Sequence, residues 1–314
     1  MDVRTQVGER QLTLSNLDKV LFDDGWTKAE MIDYYVRVAP VMLPHLQDRA
    51  ATRVRFPDGV AANQFYEKNA PSGCPDWVRR DEVATGDGTV AYVVVDDPAT
   101  LVLLANLASV EFHVPQWRFD SAEQRPVTIP ESDGASRPSD PLADRIVIDC
   151  DPGEGITMLD SAQAALIIGA ELASDDLIGL PRTTGSKGLQ IAAAIRPSPT
   201  EQARGYVRRL AERLARRHPD RFVTTMDKKR RIGHIFLDYN QNMAARNTVC
   251  PYSLRGRPSP GVATPLTWDE IAAVERPTDD LRFSPEQVLE RIEDHGDLAG
   301  ELFTEDPPPL PSVD

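Results

Sequence analysis

Two aspartates separated by one residue, Asp149 and Asp151, stand at the end of the apolar, β-branched run Arg145-Ile-Val-Ile-Asp-Cys-Asp151. Side chains two apart on a strand leave the same face, so this spacing sets both carboxylates side by side. Carboxylates that close repel, and one takes up a proton unless a cation intervenes. Hard divalent ions such as Mg²⁺ or Mn²⁺ accept carboxylate oxygens and keep positions for water and phosphate. The following Pro152-Gly153-Glu154-Gly155 turns the chain sharply. A third acid, Asp238, closes the apolar stretch Ile235-Phe236-Leu237. An Asp there equally well starts a turn, and an isolated D-x-D is a common chance pattern. Three carboxylates together are what two-metal phosphoryl transfer requires, with the ions held over the attacking and leaving oxygens.

Phosphate-binding candidates lie nearby. Thr183-Thr184-Gly185-Ser186-Lys187-Gly188 has two glycines that let backbone N–H groups approach an anion, with a hydroxyl and an ammonium beside them. It lacks the Walker A spacing, and a plain polar hairpin turn fits the same residues. Arg231, Arg246 and Arg255 flank Asp238 in sequence, and guanidinium forks match phosphate oxygens. His113, within Glu111-Phe-His-Val-Pro-Gln-Trp117, is by itself as well read as a structural histidine.

The elements that must hold these residues are partly legible. Thr27-Lys28-Ala29-Glu30 has the form of a capping box, and Met31, Tyr34, Tyr35 and Val38 follow at helical spacing. Further helices are expected over 98–108, 161–173 and 200–217, and strands over 89–95, 111–114, 145–151, 189–195 and 234–238. Thr267-Trp-Asp-Glu270 and Ser284-Pro-Glu-Gln287 are two more capping boxes. Residues 122–141, rich in Pro, Ser, Asp and Gly, read as a surface loop, and 306–314 as an extended, loosely held tail. Strands and helices mix without a regular βαβ repeat, so the expected class is α+β. We expect one catalytic domain over 1–305.

Bulk properties restrict the function classes. The chain has 314 residues, 41% hydrophobic and 27% charged, the balance of a soluble globular protein. No apolar run is long enough to span a membrane and no signal peptide is visible, so a cytoplasmic, nucleoid-associated location is expected. Three scattered cysteines exclude a disulfide framework or a four-cysteine zinc site. A net charge of −14 opposes simple nucleic-acid binding. The cations, however, cluster: Arg204, Arg208, Arg209, Arg213, Arg216 and Arg217, then Lys228-Lys-Arg-Arg231. They make either a basic face or merely a solvated helix surface.

In combination the motifs resemble a known family. Leu14-Ser-Asn-Leu-Asp-Lys-Val-Leu21, Phe112-His-Val-Pro-Gln-Trp117, Ile146-Val-Ile-Asp-Cys-Asp-Pro-Gly-Glu-Gly155, Thr184-Gly-Ser-Lys-Gly188, His234-Ile-Phe-Leu-Asp-Tyr-Asn-Gln-Asn242 and Pro251-Tyr-Ser-Leu-Arg-Gly256 occur in the order seen in polymerase domains of bacterial ligase D. Those domains belong to the archaeo-eukaryotic primase superfamily, and the likeness runs from about residue 9 to 300. The resemblance implies a primase-like core in which Asp149, Asp151 and Asp238 bind two Mn²⁺ or Mg²⁺ ions. It implies nucleotide contacts at His113, Thr184, Ser186, Lys187, Gln190, Arg231, Gln241 and Arg255. Lys19, Lys28 and Arg55 would meet DNA, the lysines at a downstream 5′-phosphate, and Phe65 and Tyr66 would stack on template bases. Two positions depart from the family pattern. Gln190 replaces the histidine usual in S-K-G-x-H, and Val54 stands where a lysine is often found. The implied activity is template- and primer-dependent addition of NTPs or dNTPs, with ribonucleotides favoured, at gaps or broken ends. Its implied setting is non-homologous end joining or a related excision repair, with Ku and a DNA ligase as partners of a monomer. No ligase or nuclease region is expected within these residues. The alternatives are a non-catalytic scaffold that binds DNA ends, and a primase that starts strands without a primer.

Overall fold

The computed structural model describes residues 2–85, 88–128 and 140–311. In chain order, the strands that position the chemistry are β1 (Thr52–Arg55), β2 (Phe65–Glu67), β3 (Ser109–Val114), β4 (Leu142–Pro152), β5 (Leu180–Thr183), β6 (Leu189–Pro199), β7 (Phe222–Val223), β8 (Ile235–Asp238) and β9 (Thr248–Val249). The helices are α1 (Lys28–Leu46), α2 (Pro98–Asn106), α3 (Met158–Ser174), α4 (Thr200–Arg217), α5 (Trp268–Ala272) and α6 (Pro285–His295). One sheet has the order β5-β6-β4-β8-β7, antiparallel except for the β7–β8 pair. A second, antiparallel throughout, has the order β9-β3-β1-β2. This is the α+β arrangement expected.

Each sheet divides its residues by the two-residue period of a strand. On β4, Ile146, Ile148 and Cys150 are buried among Ala165 and Ile168 of α3 and Val207 and Leu210 of α4. The alternate residues Val147, Asp149 and Asp151 must therefore face away from the helices. On β3, Val110, Phe112 and Val114 join a separate core with Tyr35 and Val38 of α1. That leaves Glu111 and His113 on the opposite face. The two cores are bridged by Phe283, which packs against both.

The helix starts show what local sequence decides. The expected capping boxes at Thr27/Glu30, Thr267/Glu270 and Ser284/Gln287 all form. Helix α3 begins earlier than expected, because Thr157 and Asp160 form a further box. Helix α4 has no side-chain cap at Pro199. Instead Asp140, from a distant loop, accepts from the Glu201 N–H at 2.8 Å and from the Thr200 hydroxyl. Residues 129–139 of the expected surface loop lie outside the described residues.

Two expectations need correction. The arginines of α4 are only in part free to form a basic face. Arg213 and Arg217 pair with Glu171, Arg213 also with Asp175, and Arg204 with Glu201. Glu171 of α3 and Asp175 just after it, invisible as partners in the linear sequence, take up Arg213 and Arg217. Nor is the described part of the C-terminal tail loosely held: Pro308 O accepts from Arg196 N at 2.7 Å, and Leu310 packs on the second core. Among the described residues no helix is long and apolar enough to cross a membrane.

Candidate active site

The register of the five-stranded sheet lines up four polar side chains in one row across it. Arg182 on β5 lies opposite Gln190 on β6, Gln190 opposite Asp149 on β4, and Asp149 opposite Asp238 on β8. Asp151 is two residues further along the same face of β4, opposite Phe236. The three carboxylates expected from sequence thus share one sheet surface.

Their electrostatics are unfavourable as they stand. Asp149 is 7% exposed, and its carboxyl is pushed up to about 7, first by burial and then by the charge of Asp151. A hydrogen bond from Gln190 Nε2 to Asp149 Oδ1, at 2.9 Å, opposes that rise. Burial, then Asp238, likewise raises Asp151, with Arg231 acting against the shift. Asp238 is oriented by its neighbours: Oδ1 accepts from Asn240 N at 3.0 Å and Oδ2 from Gln241 Nε2 at 3.2 Å. Among the described residues no three or more His, Cys, Asp or Glu side chains are grouped so that they could hold a metal ion as they stand. In type the donors still suit a hard cation, because they are adjacent oxygen ligands whose mutual repulsion a divalent charge would relieve.

A cleft of about 340 Å³, lined from both sheets, opens over Gln190, Asp149 and Asp151; Asp238 and Arg182 of the same row do not line it. His113, Thr184, Ser186, Lys187, Gln190, Gln241 and Arg255, all expected nucleotide contacts, line it together with Asp149 and Asp151. Its size suits a small ligand. The Thr184–Gly188 segment is a hairpin turn between β5 and β6, and the same turn forms one wall of the cleft. Thr184 donates to Gly188 O from both N and Oγ1, at 3.0 and 3.1 Å. Gly185 has φ +65°, and a Cβ there would come 2.6 Å from Arg255 Cγ. Only glycine allows that approach, in which Arg255 Nη1 donates to Thr184 O at 2.7 Å.

Opposite the turn, Glu111 holds the cation side of the cleft. It accepts from Gly256 N at 2.9 Å, contacts His113 Nε2 at 2.8 Å, and pairs with Arg255 Nε at 3.2 Å. Burial pushes its carboxyl up, but His113 and Arg255 prevail and hold it down at about 2. Glu111 was missed from sequence, although its two-residue offset from His113 placed both on one strand face. Arg182, Asn247 and Thr248 were missed too, and no local pattern marks them.

Other expected residues fall into separate groups. Arg231 does not line the cleft; its guanidinium stacks 3.6 Å over Phe236, beside Asp151. Arg246 is also outside the cleft, close enough for its charge to act on Tyr66. Phe65 and Tyr66 are about half exposed on β2. Tyr66 OH donates to Asn247 Oδ1 at 2.5 Å, which ties this aromatic pair to the cleft wall. Lys19 and Lys28 come together where Lys28 N donates to Lys19 O at 2.8 Å. Burial, then the Lys19 charge, lowers the Lys28 ammonium to about 8. Arg55 is apart from them, occupied by Glu67 at 2.7 Å and Leu107 O at 2.6 Å. Val54 lies buried in the first core.

A family model for the LigD primase-polymerase domain matches residues 27–299. The chain belongs to that family. It is 41% identical over 299 residues to the multifunctional non-homologous end joining protein LigD of Mycolicibacterium smegmatis, across 95% of this chain and 37% of that protein. It is 32% identical over 289 residues to the bifunctional non-homologous end joining protein LigD of Bacillus subtilis, across 91% and 43% respectively. Among solved structures, it matches the polymerase domain of Mycobacterium tuberculosis ligase D in complex with DNA. The TM-score is 0.84 at 40% identity, over 94% of this chain and 99% of the other. The chain therefore spans roughly two-fifths of those curated relatives and nearly all of an isolated polymerase domain.

Proposed function

We propose that this protein is a nucleotidyltransferase that extends a primer along a template at gaps or broken DNA ends, within non-homologous end joining or a related excision repair. The observation that carries this reading is one cleft lined by Asp149 and Asp151 of β4 together with the Thr184–Gly188 turn, with Asp238 opposite Asp149 in the sheet register. Acids and phosphate-compatible donors lining one cleft are the two halves that phosphoryl transfer needs. Asp149, Asp151 and Asp238 would hold two Mg²⁺ or Mn²⁺ ions, which supply charge neutralisation at the attacking and leaving oxygens.

The chain's own residues do the rest. Ser186, Lys187 and Arg255 bind the triphosphate and stabilise charge that develops toward the leaving group. Gln241 and Asn240 fix the orientation of Asp238. Glu111 orients Arg255 and His113 at the cleft. Phe65 and Tyr66 offer exposed π-faces for stacking on template bases, a contact tolerant of base identity. Lys19 and Lys28 would bind a 5′-phosphate, for which Lys19 Nζ would leave Asp58, now at 3.0 Å, and Lys28 Nζ would leave Ser15 O, now at 2.5 Å. The exposed Lys228, Lys229 and Arg230 supply backbone contacts despite the acidic total charge, so binding falls steeply with salt. Ribonucleotide preference, Ku and a DNA ligase as partners, action as a monomer, and a cytoplasmic, nucleoid-associated setting complete the proposal.

The test is extension of a labelled primer across a one-nucleotide gap bearing a 5′-phosphate, with Mn²⁺ and either ATP or dATP. Wild type should add the nucleotide, ATP better than dATP, and Asp149→Ala/Asp151→Ala should not. Tight binding to that DNA without extension would overturn the reading in favour of an end-binding scaffold.

A further inference from the structure

We propose that Arg182 is a positioning residue: it locks the Gln190 side-chain amide so that its N–H end faces Asp149 and the nucleotide cleft. The inference rests on the polymerase reading above and assigns a role inside that same site. A glutamine amide has ends of nearly equal size, and a half-turn exchanges donor for acceptor. In this row the choice is forced. Arg182 Nε and Nη2 donate to Gln190 Oε1 at 2.9 and 2.7 Å. A guanidinium has only donors, so the flipped amide would set N–H against N–H. With Oε1 held, Nε2 is turned to Asp149 Oδ1 at 2.9 Å. Its second hydrogen belongs to a side chain that lines the cleft.

Arg182 is itself anchored for this task. It is 4% exposed, and Nη2 also donates to Thr248 Oγ1 at 3.3 Å, a hydroxyl that accepts from Gln116 Nε2 at 3.0 Å. Among the described residues it makes no ion pair. A buried guanidinium without a carboxylate is expensive, and an apolar residue would fill the strand at lower cost. The acid its charge does reach is Asp149, on the far side of Gln190 in the same cross-strand row. The arrangement thus transmits a fixed cation through a neutral amide, and so keeps a donor at position 190 without placing a charge there.

The experiment is calorimetric titration of ATP, with Mn²⁺ and no DNA, into wild type, Arg182→Met, Gln190→Ala and the double variant. Each single change should weaken ATP binding about tenfold, the loss of one oriented hydrogen bond to a charged group. Because Arg182 acts through Gln190, the double variant should be no weaker than either single one. Additive losses near a hundredfold, or an Arg182→Met protein that binds as wild type does, would overturn the proposal. If Arg182→Met does not fold, Arg182→Lys and Arg182→Gln replace it. Lysine offers only donors and should bind within about threefold of wild type, whereas glutamine can present either end and should fall toward tenfold. Equal behaviour of those two variants refutes the lock. A wild type that binds no ATP sinks the polymerase reading itself, and this inference with it.

Discussion

Replacing Asp149 by Asn is expected to stabilise the protein in EDTA while abolishing primer extension. Asp149 is buried, and its carboxyl is raised from 3.8 to about 7, by burial first and Asp151 second. Between those values the native state binds more protons than the unfolded chain. Stability must therefore fall as pH rises from about 4 to about 7, and stay low above that. At 1.36 kcal/mol per pH unit, the full displacement corresponds to about 4 kcal/mol. That is an upper limit, because repulsion within the cluster relaxes as soon as one carboxyl takes the proton. We expect Asp149→Asn to exceed wild type by about 2–4 kcal/mol at pH 8 and to match it near pH 4. Asparagine keeps the shape and can still accept from Gln190, so no cavity or lost bond offsets the gain. The assay is urea denaturation in EDTA at several pH values, followed by circular dichroism. Addition of Mn²⁺ should then reverse the order, since binding at a hundred times Kd stabilises wild type by about 2.7 kcal/mol. An Asn variant less stable than wild type at pH 8, or a gap that does not change with pH, would refute the reasoning.

The DNA-contacting and cation-holding sides of the cleft give two further tests. Lys28→Gln should cut the preference for gapped DNA with a 5′-phosphate over a 5′-hydroxyl by about five- to tenfold, roughly one charged hydrogen bond. Competition binding checks it, and an unchanged preference would remove Lys28 from the phosphate site. Glu111→Gln should destabilise the protein by about 3 kcal/mol at pH 7, because a carboxylate held near 2 loses its hold on His113 and Arg255. A depressed acid stabilises above its unfolded value of 4.5, so the gap to wild type should close as pH falls from 4.5 toward 2. A gap constant across that range would count against the ion pair.

Some of this protein was determined by its sequence alone. The capping boxes at Thr27, Thr267 and Ser284 start their helices, because side chain and backbone partners are three residues apart and need nothing else. The D-x-D of β4 puts two carboxylates on one face by the period of a strand. Glycines in the 184–188 turn permit a backbone approach that any side chain would block. The ordered motifs sufficed to name the family that the match over residues 27–299 then established.

Other decisions belonged to tertiary structure, since they depend on which strands and helices become neighbours. Register across the sheet put Asp238 opposite Asp149 and put Arg182 behind Gln190, two pairings that no linear spacing encodes. The charges of Arg213 and Arg217 on α4 were met by Glu171 of α3 and by Asp175 just after it, and α4 was capped by Asp140 from a loop. Arg55 was taken up by Glu67, and Arg231 was placed over Phe236 rather than in the cleft. A side chain's type and local period follow from the chain itself. Its charge, its free hydrogen-bonding capacity and its pKa follow from the partners that folding brings within a few ångströms, because Coulombic and hydrogen-bond energies depend on distance in space.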